Sequence, residues 1–493
     1  MAAGATQPAF FRRCYNYLVC HRLFGNEVPM ADHMDTAGSI AGLEAKTLDT
    51  LKQLDLAAGH WAVCGLQWGD EGKGQIVDLL TQSFDLVVRY NGGNNAGHSV
   101  QIGDQKFALH LIPSGILCPN TLNVVANGVV VDPPGILEEI DGLTQRGIDI
   151  GDNLRISSRA HVVLPYHKIQ DSLFDSSLAK AWESPPLGTT GRGIGPCYAD
   201  KALRSTAIRM NDLLKASELK PMLARIVAVK NTMLGALAKS CGQPFEPLDA
   251  GALYEACGKH ADRLHRYVCD TAHLLNSSNE AGKKILFEGA NAALLDIDHG
   301  TYPFVTSSSC SSLGIYPGTG MPGGTVKNVM GIVKLYSSRV GSGPFPTELH
   351  DQLGQQIREV GKEYGTTTNR PRRCGWLDLA AVKYTTIVSG ATALACTGLS
   401  VLAGIERLKV CTGYRVAGQI LDGFPADADV LNSVEPIFEE LAGFDQPVAT
   451  CTSYKQLPSQ ARDYLDFTEE YLTIPIRVVC VGQRRDQIIV KDA

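Results

Sequence analysis

The chain has 493 residues, with 45 Lys or Arg and 51 Asp or Glu, so its formal net charge is −6. This balance excludes a protein that binds nucleic acid through bulk positive charge, although not one with a local basic site. Hydrophobic residues make up 44% and charged residues 19%, which is typical of a soluble globular chain. The 14 cysteines are scattered without a C-x-x-C pair, which indicates a reducing compartment and neither a zinc site nor a disulfide framework.

The N-terminal region differs from the rest of the sequence. We predict an N-terminal extension over residues 1–58, poorly ordered or targeting, and a catalytic domain over residues 59–493. Three arginines and no acidic residue within residues 1–26 resemble an organelle-targeting segment. A plain leader, or a start codon assigned too early, is the alternative that we favour. We therefore expect a cytoplasmic protein, with organelle targeting by residues 1–29 as the less favoured interpretation.

The predicted elements begin with a short amphipathic helix, because leucines recur at helical spacing between Leu43 and Leu56. From His60 onward, short apolar runs alternate with helical periods. The predicted strands are Trp61–Leu66, Leu86–Tyr90, Asn123–Val131, Lys284–Phe287, Val329–Tyr336, Ala393–Leu402, Leu408–Tyr414 and Arg477–Val481. The predicted helical segments are Gly135–Arg146, a long stretch from Asn211 to Gly282, Leu377–Ser389 and Ser459–Leu472.

Most of these strands are continuously apolar, as in strands that are buried on both faces. The sequence therefore predicts an α/β fold: one large domain with a mainly parallel, helix-covered central sheet and accessory helical and hairpin subregions. Ligands are expected at the carboxyl ends of the strands. The longest uncharged stretch, Tyr384–Ile405, is diluted by Thr, Ser and Gly, so we interpret it as a buried helix followed by a buried strand and expect no membrane span.

A glycine-rich loop, GLQWGDEGKGQ, starts at Gly65 and follows the first predicted strand. Its glycines let backbone N–H groups face phosphate oxygens, and Lys73 can reach the β and γ phosphates. It is not a Walker A loop, which would need Gly at Gln67 and a hydroxyl at Gly74. Asp70 is therefore the local carboxylate best placed to bind Mg²⁺. Taken alone, such a loop is structural as often as it is catalytic.

Four further clusters combine glycines, hydroxyls, amides and charged groups, which suit a phosphate-bearing ligand. They are Asn91–His98, Gly188–Pro196 with Tyr198–Arg204, Phe287–Asn291 with Asp296–Thr306, and Gly365–Arg373. Each alone could be a solvated turn or a satisfied structural segment, and the carboxylates near residue 296 have no metal-specific spacing. Because several of the clusters follow predicted strands, as the first loop does, the sequence favours one common site.

Taken together, the segments QWGDEGKG, NNAGH, GTTGRGIGP, FEGA with LLDIDHGTYP, VGSGPFPTEL and TTTNRPRRCGWLD resemble the adenylosuccinate synthetase family. The resemblance runs from about Trp61 to the C-terminus. It implies GTP-dependent ligation of IMP and L-aspartate to adenylosuccinate, with GDP and phosphate as further products and a 6-phosphoryl-IMP intermediate. This is the first committed step of AMP synthesis. The resemblance also implies Mg²⁺ as cofactor, a homodimer, and neither nucleic acid nor membrane as a partner.

The resemblance also implies roles for individual residues. The catalytic residues would be Asp70, His98 and Lys73, with Asp70 as the base for N1 of IMP and as a Mg²⁺ ligand beside the Gly97 carbonyl. His98 would stabilise charge on the phosphoryl oxygen and act as the acid. The implied IMP site comprises Asp70, Glu71, Gly72, Lys73, Asn95, Ala96, Gly97, His98, Thr190, Asn291, Thr306, Arg370 and, from the neighbouring subunit, Arg204. The implied aspartate site comprises Thr366, Thr367, Thr368, Arg370 and Arg372. The implied GTP site comprises Gly69, Gly72, Lys73, Gly74, Gly97, His98, Ser99, Arg372, Gly398, Leu399, Ser400, Cys480, Val481 and Gly482.

Three departures from the family pattern concern the substrate sites. Asn291 stands where the family usually has Gln, and the aspartate loop has Asn369 and Pro371 where many relatives have Gly and Arg. The K-x-D that reads guanine is replaced by Gly398-Leu399-Ser400, and the closing loop reads Cys480-Val481-Gly482-Gln483.

An Asp carboxylate accepts hydrogen bonds from both guanine N1–H and N2–H₂, whereas a Ser hydroxyl cannot accept both in that fork. We therefore predict a relaxed or altered nucleobase preference. Two other functions remain open from the residues: a nucleotide-binding regulator without ligase activity, and a small-molecule kinase that needs no aspartate. The Thr and Arg residues over 366–373 favour a carboxylate co-substrate over the kinase.

Overall fold

The computed structural model describes residues 49–54, 56–103, 105–181, 186–365 and 370–491. Within these ranges the helices are α1 (residues 49–54), α2 Lys73–Thr81, α3 Pro133–Gln145, α4 Pro165–Ala181, α5 Ile194–Leu203, α6 Met210–Leu213, α7 Ala216–Cys241, α8 Ala250–Leu264, α9 Thr271–Glu280, α10 Ile315–Thr319, α11 Gln352–Gly361, α12 Leu379–Ser389, α13 Ala428–Ser433 and α14 Ser459–Leu472.

The strands in the same ranges are β1 His60–Gly65, β2 Leu86–Arg89, β3 His98–Ile102, β4 Gln105–Leu109, β5 Leu122–Val125, β6 Val130–Val131, β7 Leu154–Ser157, β8 His161–Val162, β9 Val268–Cys269, β10 Ile285–Ala292, β11 Val326–Lys334, β12 Ser337–Arg339, β13 Arg373–Gly375, β14 Leu377–Asp378, β15 Ala393–Thr397, β16 Arg407–Val416, β17 Gln419–Ile420, β18 Glu435–Ala442, β19 Ile476–Cys480 and β20 Ile488–Val490.

A ten-stranded sheet forms the centre of the described chain, in the order β20-β19-β15-β11-β1-β10-β2-β5-β7-β9. Its strands pair in parallel except for the antiparallel edge pair of β19 and β20. In the middle, Ala62 of β1 lies between Phe287 of β10 and Val329 of β11. Every residue of β1, β2 and β15 is buried, so helices and loops cover both faces. The predicted mainly parallel α/β fold is confirmed.

Several predicted elements differ in the structure. The strand predicted over Asn123–Val131 splits into β5 and β6, because the chain turns at Ala126–Val129 and β6 joins β8 in a separate pair. The strand predicted over Ala393–Leu402 ends at Thr397. Gly398 has a φ of 76° and starts a short 3₁₀ helix, Leu399–Leu402, which breaks the extended backbone.

Two further corrections concern accessory regions. The long helical stretch predicted from Asn211 to Gly282 is divided into α6 to α9, with a left-handed Gly242 ending α7. The strand predicted over Leu408–Tyr414 lies outside the central sheet, since β16 pairs in antiparallel with β18 and β17. The segment Tyr384–Ile405 contains the predicted buried helix and strand as the end of α12 and β15. None of the described helices is both long and apolar enough to cross a membrane.

Part of the predicted extension packs on the central sheet. Leu51 and Leu54 of α1 are buried in the same cluster as Trp61 and Ile76, and Arg477 of β19 donates a hydrogen bond of 2.5 Å to the Leu54 carbonyl oxygen. The start of the helix predicted over Leu43–Leu56, like the predicted targeting segment, lies outside the described residues. The boundary at residue 58 stays a prediction.

Candidate functional site

The loops that follow the parallel strands meet at one edge of the sheet. The chain leaves β1, β2, β10, β15 and β19 at this edge, where open α/β sheets bind their ligands. Residues from these loops line a cavity of about 1440 Å³. Of the predicted site residues, the cavity is lined by Gly69, Asp70, Glu71, Gly72, Lys73, Gly74, Asn95, Ala96, Gly97, His98, Ser99, Thr190, Asn291, Thr306, Arg372, Gly398, Ser400 and Gly482.

The loop after β1 is shaped by a buried carboxylate. Glu71 is completely buried and accepts hydrogen bonds from the backbone N–H groups of Gln67 (3.2 Å) and Gly69 (2.8 Å). Its other oxygen lies 2.6 Å from Nζ of Lys73. Although burial favours the neutral acid, the Lys73 ammonium holds the pKa of Glu71 below its ordinary value. The loop therefore presents Lys73 and the N-terminus of α2 to the cavity in a fixed geometry.

Asp70 lies at the turn of this loop with a φ of 60° and is partly exposed to the cavity. One of its carboxylate oxygens is 2.9 Å from Nε of Arg372. On the other side, Nη1 of Arg372 donates a hydrogen bond of 2.7 Å to the buried Glu363. Glu363 also accepts hydrogen bonds from Nζ of Lys334 (2.7 Å) and the Tyr336 hydroxyl (2.5 Å). Burial opposes ionisation, but Lys334 and Arg372 hold the pKa of Glu363 at about 2. Arg372 is thus held by Glu363 on one side and faces Asp70, the candidate base, on the other.

His98 is held at the start of β3 by groups from two neighbouring strands. Its Nδ1 lies 2.5 Å from Oε1 of Glu288 on β10 and 3.2 Å from Nη2 of Arg89 on β2. Its Nε2 lies 3.0 Å from the Ala290 carbonyl oxygen. Burial and then the charge of Arg89 lower the pKa of His98, whereas Glu288 acts in the opposite direction. The imidazole therefore has a fixed orientation at the wall of the cavity.

Glu288 is itself fully buried and connects several elements. It accepts hydrogen bonds from Arg89 (3.1 Å) and from both the backbone N–H (2.8 Å) and the hydroxyl (2.7 Å) of Ser114. Against the effect of burial, Arg89, His98 and Ser114 hold the pKa of Glu288 at about 2. An ionised carboxylate beside an imidazole fixes its ring orientation, as in other carboxylate–histidine pairs.

Amides and hydroxyls form another corner of the cavity. Among the described residues, the buried side-chain oxygens of Asn95 and Asn291 have no hydrogen-bond partner, although Nδ2 of Asn95 donates a hydrogen bond of 3.1 Å to the Thr306 hydroxyl. The loop that carries Thr190 is anchored to α4, because Asp171 accepts a 2.9 Å hydrogen bond from the Gly193 N–H. Buried polar groups are rarely left unpaired, so this corner is suited to a polar ligand.

The segment expected to read the nucleobase has little polar functionality. A side chain at Gly398 is disfavoured by its positive φ, and a Cβ there would lie 2.8 Å from the Tyr336 ring. Ser400 lines the cavity, as does Gly482 in the loop after β19. The side chains of Leu399, Cys480 and Val481 are buried in the hydrophobic core. Any contact of these three residues with a nucleotide would have to come from their backbone.

The structure does not bring all predicted residues to the cavity. Arg204 is exposed at the C-terminal end of α5 and does not line it. Arg370 is exposed and is also absent from the lining, although its guanidinium comes near Gly188 at the rim. Thr366, Thr367 and Thr368 lie outside the described residues.

The oxygen donors predicted for Mg²⁺ lie on the lining of the same cavity. Asp70 contributes a carboxylate and Gly97 a backbone carbonyl. In the part of the chain that the structure describes, there is no cluster of three or more His, Cys, Asp or Glu side chains suited to a metal. One carboxylate and one carbonyl fit Mg²⁺, which commonly takes its remaining ligands from substrate phosphates and water. They do not fit a metal that requires an all-protein cage.

Three charged residues of the site, Arg89, Lys334 and Glu363, were not expected from the sequence, and Glu288 was expected only as a member of the Phe287–Asn291 cluster, without a role of its own. Glu288 stands within the FEGA segment, and Arg89 is the one charged residue inside the apolar run LVVRY. A charged residue in a strand that is buried on both faces needs a partner of opposite charge, so this pattern could have identified Arg89 from the sequence. Lys334 and Glu363 offered no comparable signal, because they meet only in the folded chain.

The chain resembles known proteins over most of its length. The family model described as adenylosuccinate synthetase matches residues 62–489. The adenylosuccinate synthetase of Thermodesulfovibrio yellowstonii is 45% identical over 431 residues, which is 87% of this chain and 98% of that protein. The enzyme of Caldanaerobacter subterraneus is 46% identical over 429 residues, with the same coverage.

Among solved structures, the fully ligated adenylosuccinate synthetase of Plasmodium falciparum matches with a TM-score of 0.82 and 37% identity, covering 88% of this chain and all of that one. The succinoaminodeoxyadenylate synthetase of cyanophage S-2L, solved with dGMP and dATP, shares the fold at 17% identity and a TM-score of 0.55, over 88% of this chain and 96% of that one. The chain thus belongs to the adenylosuccinate synthetase family, ligases that join IMP to aspartate in AMP biosynthesis.

Proposed function

We propose that the chain forms adenylosuccinate in two steps, phosphorylation of IMP by a nucleoside triphosphate and displacement of the phosphate by aspartate. The observation that carries this proposal is the arrangement of Asp70, Lys73 and His98 around one cavity that also contains the unpartnered amide oxygens of Asn95 and Asn291. Phosphoryl transfer depends mainly on positioning and electrostatic stabilisation, and these groups are held by buried ion pairs.

In the first step, Asp70 accepts the N1 proton of IMP while O6 attacks the γ-phosphorus and the nucleoside diphosphate leaves. Lys73 neutralises charge on the phosphates, and His98 stabilises the transferred phosphoryl group. In the second step, the aspartate amine attacks C6 and phosphate leaves with the former O6. A positioned proton-transfer group contributes about 10²–10⁴-fold to such a rate. Arg372, together with the loop at 366–370, would hold the aspartate carboxylates.

Mg²⁺ would be held by the Asp70 carboxylate and the Gly97 carbonyl. When bound, it would neutralise charge on the phosphates. Without a ligand, one Asp70 oxygen lies 2.9 Å from Nε of Arg372. Substitution Asp70→Asn keeps the shape of the side chain but removes both its basicity and its charge.

We propose that the nucleobase specificity for the triphosphate is broader than the preference for GTP that the family pattern implies. A side chain at Gly398 is disfavoured in its present conformation, and Ser400 offers one hydroxyl where guanine has two donors. A site that loses such an acceptor loses about 10²–10⁴-fold in discrimination. The cyanophage protein is described as bound to dATP as an energy donor, so in that protein this fold accommodates an adenine nucleotide.

The test is an adenylosuccinate-forming assay with IMP, aspartate and equal concentrations of GTP, ATP, ITP and UTP. We expect product with more than one triphosphate and none with Asp70→Asn. Ser400→Asp should raise the share of turnover supported by GTP. Near-exclusive use of GTP by the wild type would refute the altered preference. No product with any triphosphate would refute the ligase proposal and favour the regulator, and product without aspartate dependence would favour the kinase.

The proposed active form is a homodimer in which Arg204 enters the neighbouring site. Its support is the exposed position of Arg204 at the end of α5, outside its own cavity. Arg204→Leu should lower activity, and mixing it with Asp70→Asn should restore part of it through hybrid dimers with one intact site. Failure of demonstrably mixed dimers to regain activity would contradict a shared site.

A further inference from the structure

A segment behind the cavity is connected to His98 through two carboxylates. Glu139 on α3 accepts hydrogen bonds from three consecutive backbone N–H groups, those of His110 (2.9 Å), Leu111 (2.9 Å) and Ile112 (3.3 Å). Glu139 does not line the cavity. One carboxylate thus holds the backbone that runs from the end of β4 into the 3₁₀ helix Ser114–Leu117.

The other end of this segment reaches the candidate catalytic histidine. Ser114 directs its N–H and its hydroxyl onto the two oxygens of Glu288, at 2.8 and 2.7 Å. Glu288 in turn lies 2.5 Å from Nδ1 of His98. In addition, Nδ1 of His110 lies 2.7 Å from the Ala96 carbonyl oxygen, two residues before His98. The segment His110–Ser114 therefore contacts both the carboxylate beside the His98 imidazole and the backbone two residues before His98.

A purely structural role would not require this arrangement. Glu288 is fully buried and is already paired with Arg89 at 3.1 Å, which suffices to neutralise it. Arg89 approaches only one of its oxygens, whereas Ser114 contacts both and so fixes the plane of the carboxylate. The plane determines where Oε1 lies and thus the direction of the imidazole.

We propose that Ser114 and Glu139 are positioning residues for His98, acting through Glu288 and through the backbone of residues 110–114. This inference rests on the proposed role of His98 in phosphoryl transfer. Neither residue lines the cavity, so their loss should lower kcat and leave the KM values for IMP and the triphosphate nearly unchanged. Residues that act as one unit give non-additive losses, which provides the test.

The experiment measures steady-state adenylosuccinate formation for Ser114→Ala and Glu139→Gln in the full chain, each in the wild-type and the His98→Gln background. Two matched controls are Ser278→Ala, a buried serine on α9, and Glu138→Gln, an exposed neighbour of Glu139 on α3. We expect each test variant to lower kcat about tenfold and the controls to have no effect. In the His98→Gln background, the same substitutions should change kcat by less than about twofold.

The outcomes separate this inference from the proposed function. Unchanged kcat in both test variants, or losses that multiply in the His98→Gln background, would overturn the positioning role. If Ser114→Ala fails to fold, Glu139→Gln provides the same test, because Glu139 lies outside the group of buried side chains around Glu288. A wild type that forms no adenylosuccinate would instead refute the proposed function, and a fully active His98→Gln variant would refute the role of His98 itself.

Discussion

The buried carboxylate of Glu363 allows a quantitative prediction. Glu363 is 2% exposed and pairs with Lys334 and Arg372, both at 2.7 Å, while the Tyr336 hydroxyl donates a third hydrogen bond. Glu363→Gln keeps the shape of the side chain but leaves two buried cations without their shared anion. Breaking a buried pair from one side costs about 3–5 kcal/mol.

The pKa of Glu363 gives a second, independent estimate. It lies at about 2 in the folded protein against an ordinary value of 4.5. The difference corresponds to about 3 kcal/mol, at about 1.4 kcal/mol for each pH unit. Because the folded-state pKa is depressed, this stabilisation is fully present above pH 4.5 and is lost as the pH falls towards 2. At pH 7.5 both estimates give a loss of about 3 kcal/mol in the free energy of unfolding.

The assay is urea unfolding at pH 7.5, followed by circular dichroism. The matched control is Glu359→Gln, which removes an exposed carboxylate that accepts a 2.8 Å hydrogen bond from Tyr364 and should cost less than about 1 kcal/mol. If the unfolding free energy of Glu363→Gln lies within about 1 kcal/mol of that of the Glu359→Gln control, the network does not stabilise the fold to the expected extent.

Two further predictions concern stability. Burial raises the pKa of Asp378 to about 6 from 3.8. The wild type should therefore lose about 2 kcal/mol of unfolding free energy relative to Asp378→Asn as the pH rises from 4 to 8. Urea unfolding at both pH values measures this, and a pH-independent difference would contradict it. Gly398 and Gly418 have φ values of 76° and 81°, but only at Gly398 would a Cβ meet another side chain. Gly398→Ala should therefore cost at least about 1 kcal/mol more than Gly418→Ala in thermal unfolding, and equal melting temperatures would argue against the contact with Tyr336.

The sequence predicts the central strands well because burial on both faces leaves a continuous apolar run, as in β1 and β15. It misses the hairpin of β3 and β4, which mixes buried and exposed residues and carries charge at Lys106. The glycine-rich loop after β1 is predictable because its glycines and Lys73 are local in sequence. The exposed position of Arg204 at the end of α5 could not be predicted without the fold.

The support for His98 could not be predicted from sequence spacing. Glu288 is 190 residues away from His98 along the chain, and the two meet because β10 lies beside β2 in the sheet. Likewise, Glu363 follows the end of α11, and its partner Lys334 ends β11. Such pairs depend on strand order and loop closure, which local patterns do not encode.

The buried ion pairs around the cavity have a consequence for how ligands enter. At the cavity wall or behind it, four cationic groups each pair with an anionic one, namely Lys73 with Glu71, Arg89 with Glu288, Lys334 with Glu363, and Arg372 with Asp70. These groups give the empty cavity little net field to attract a polyphosphate from a distance. A triphosphate should therefore enter together with its own cation, and its association rate should depend only weakly on ionic strength.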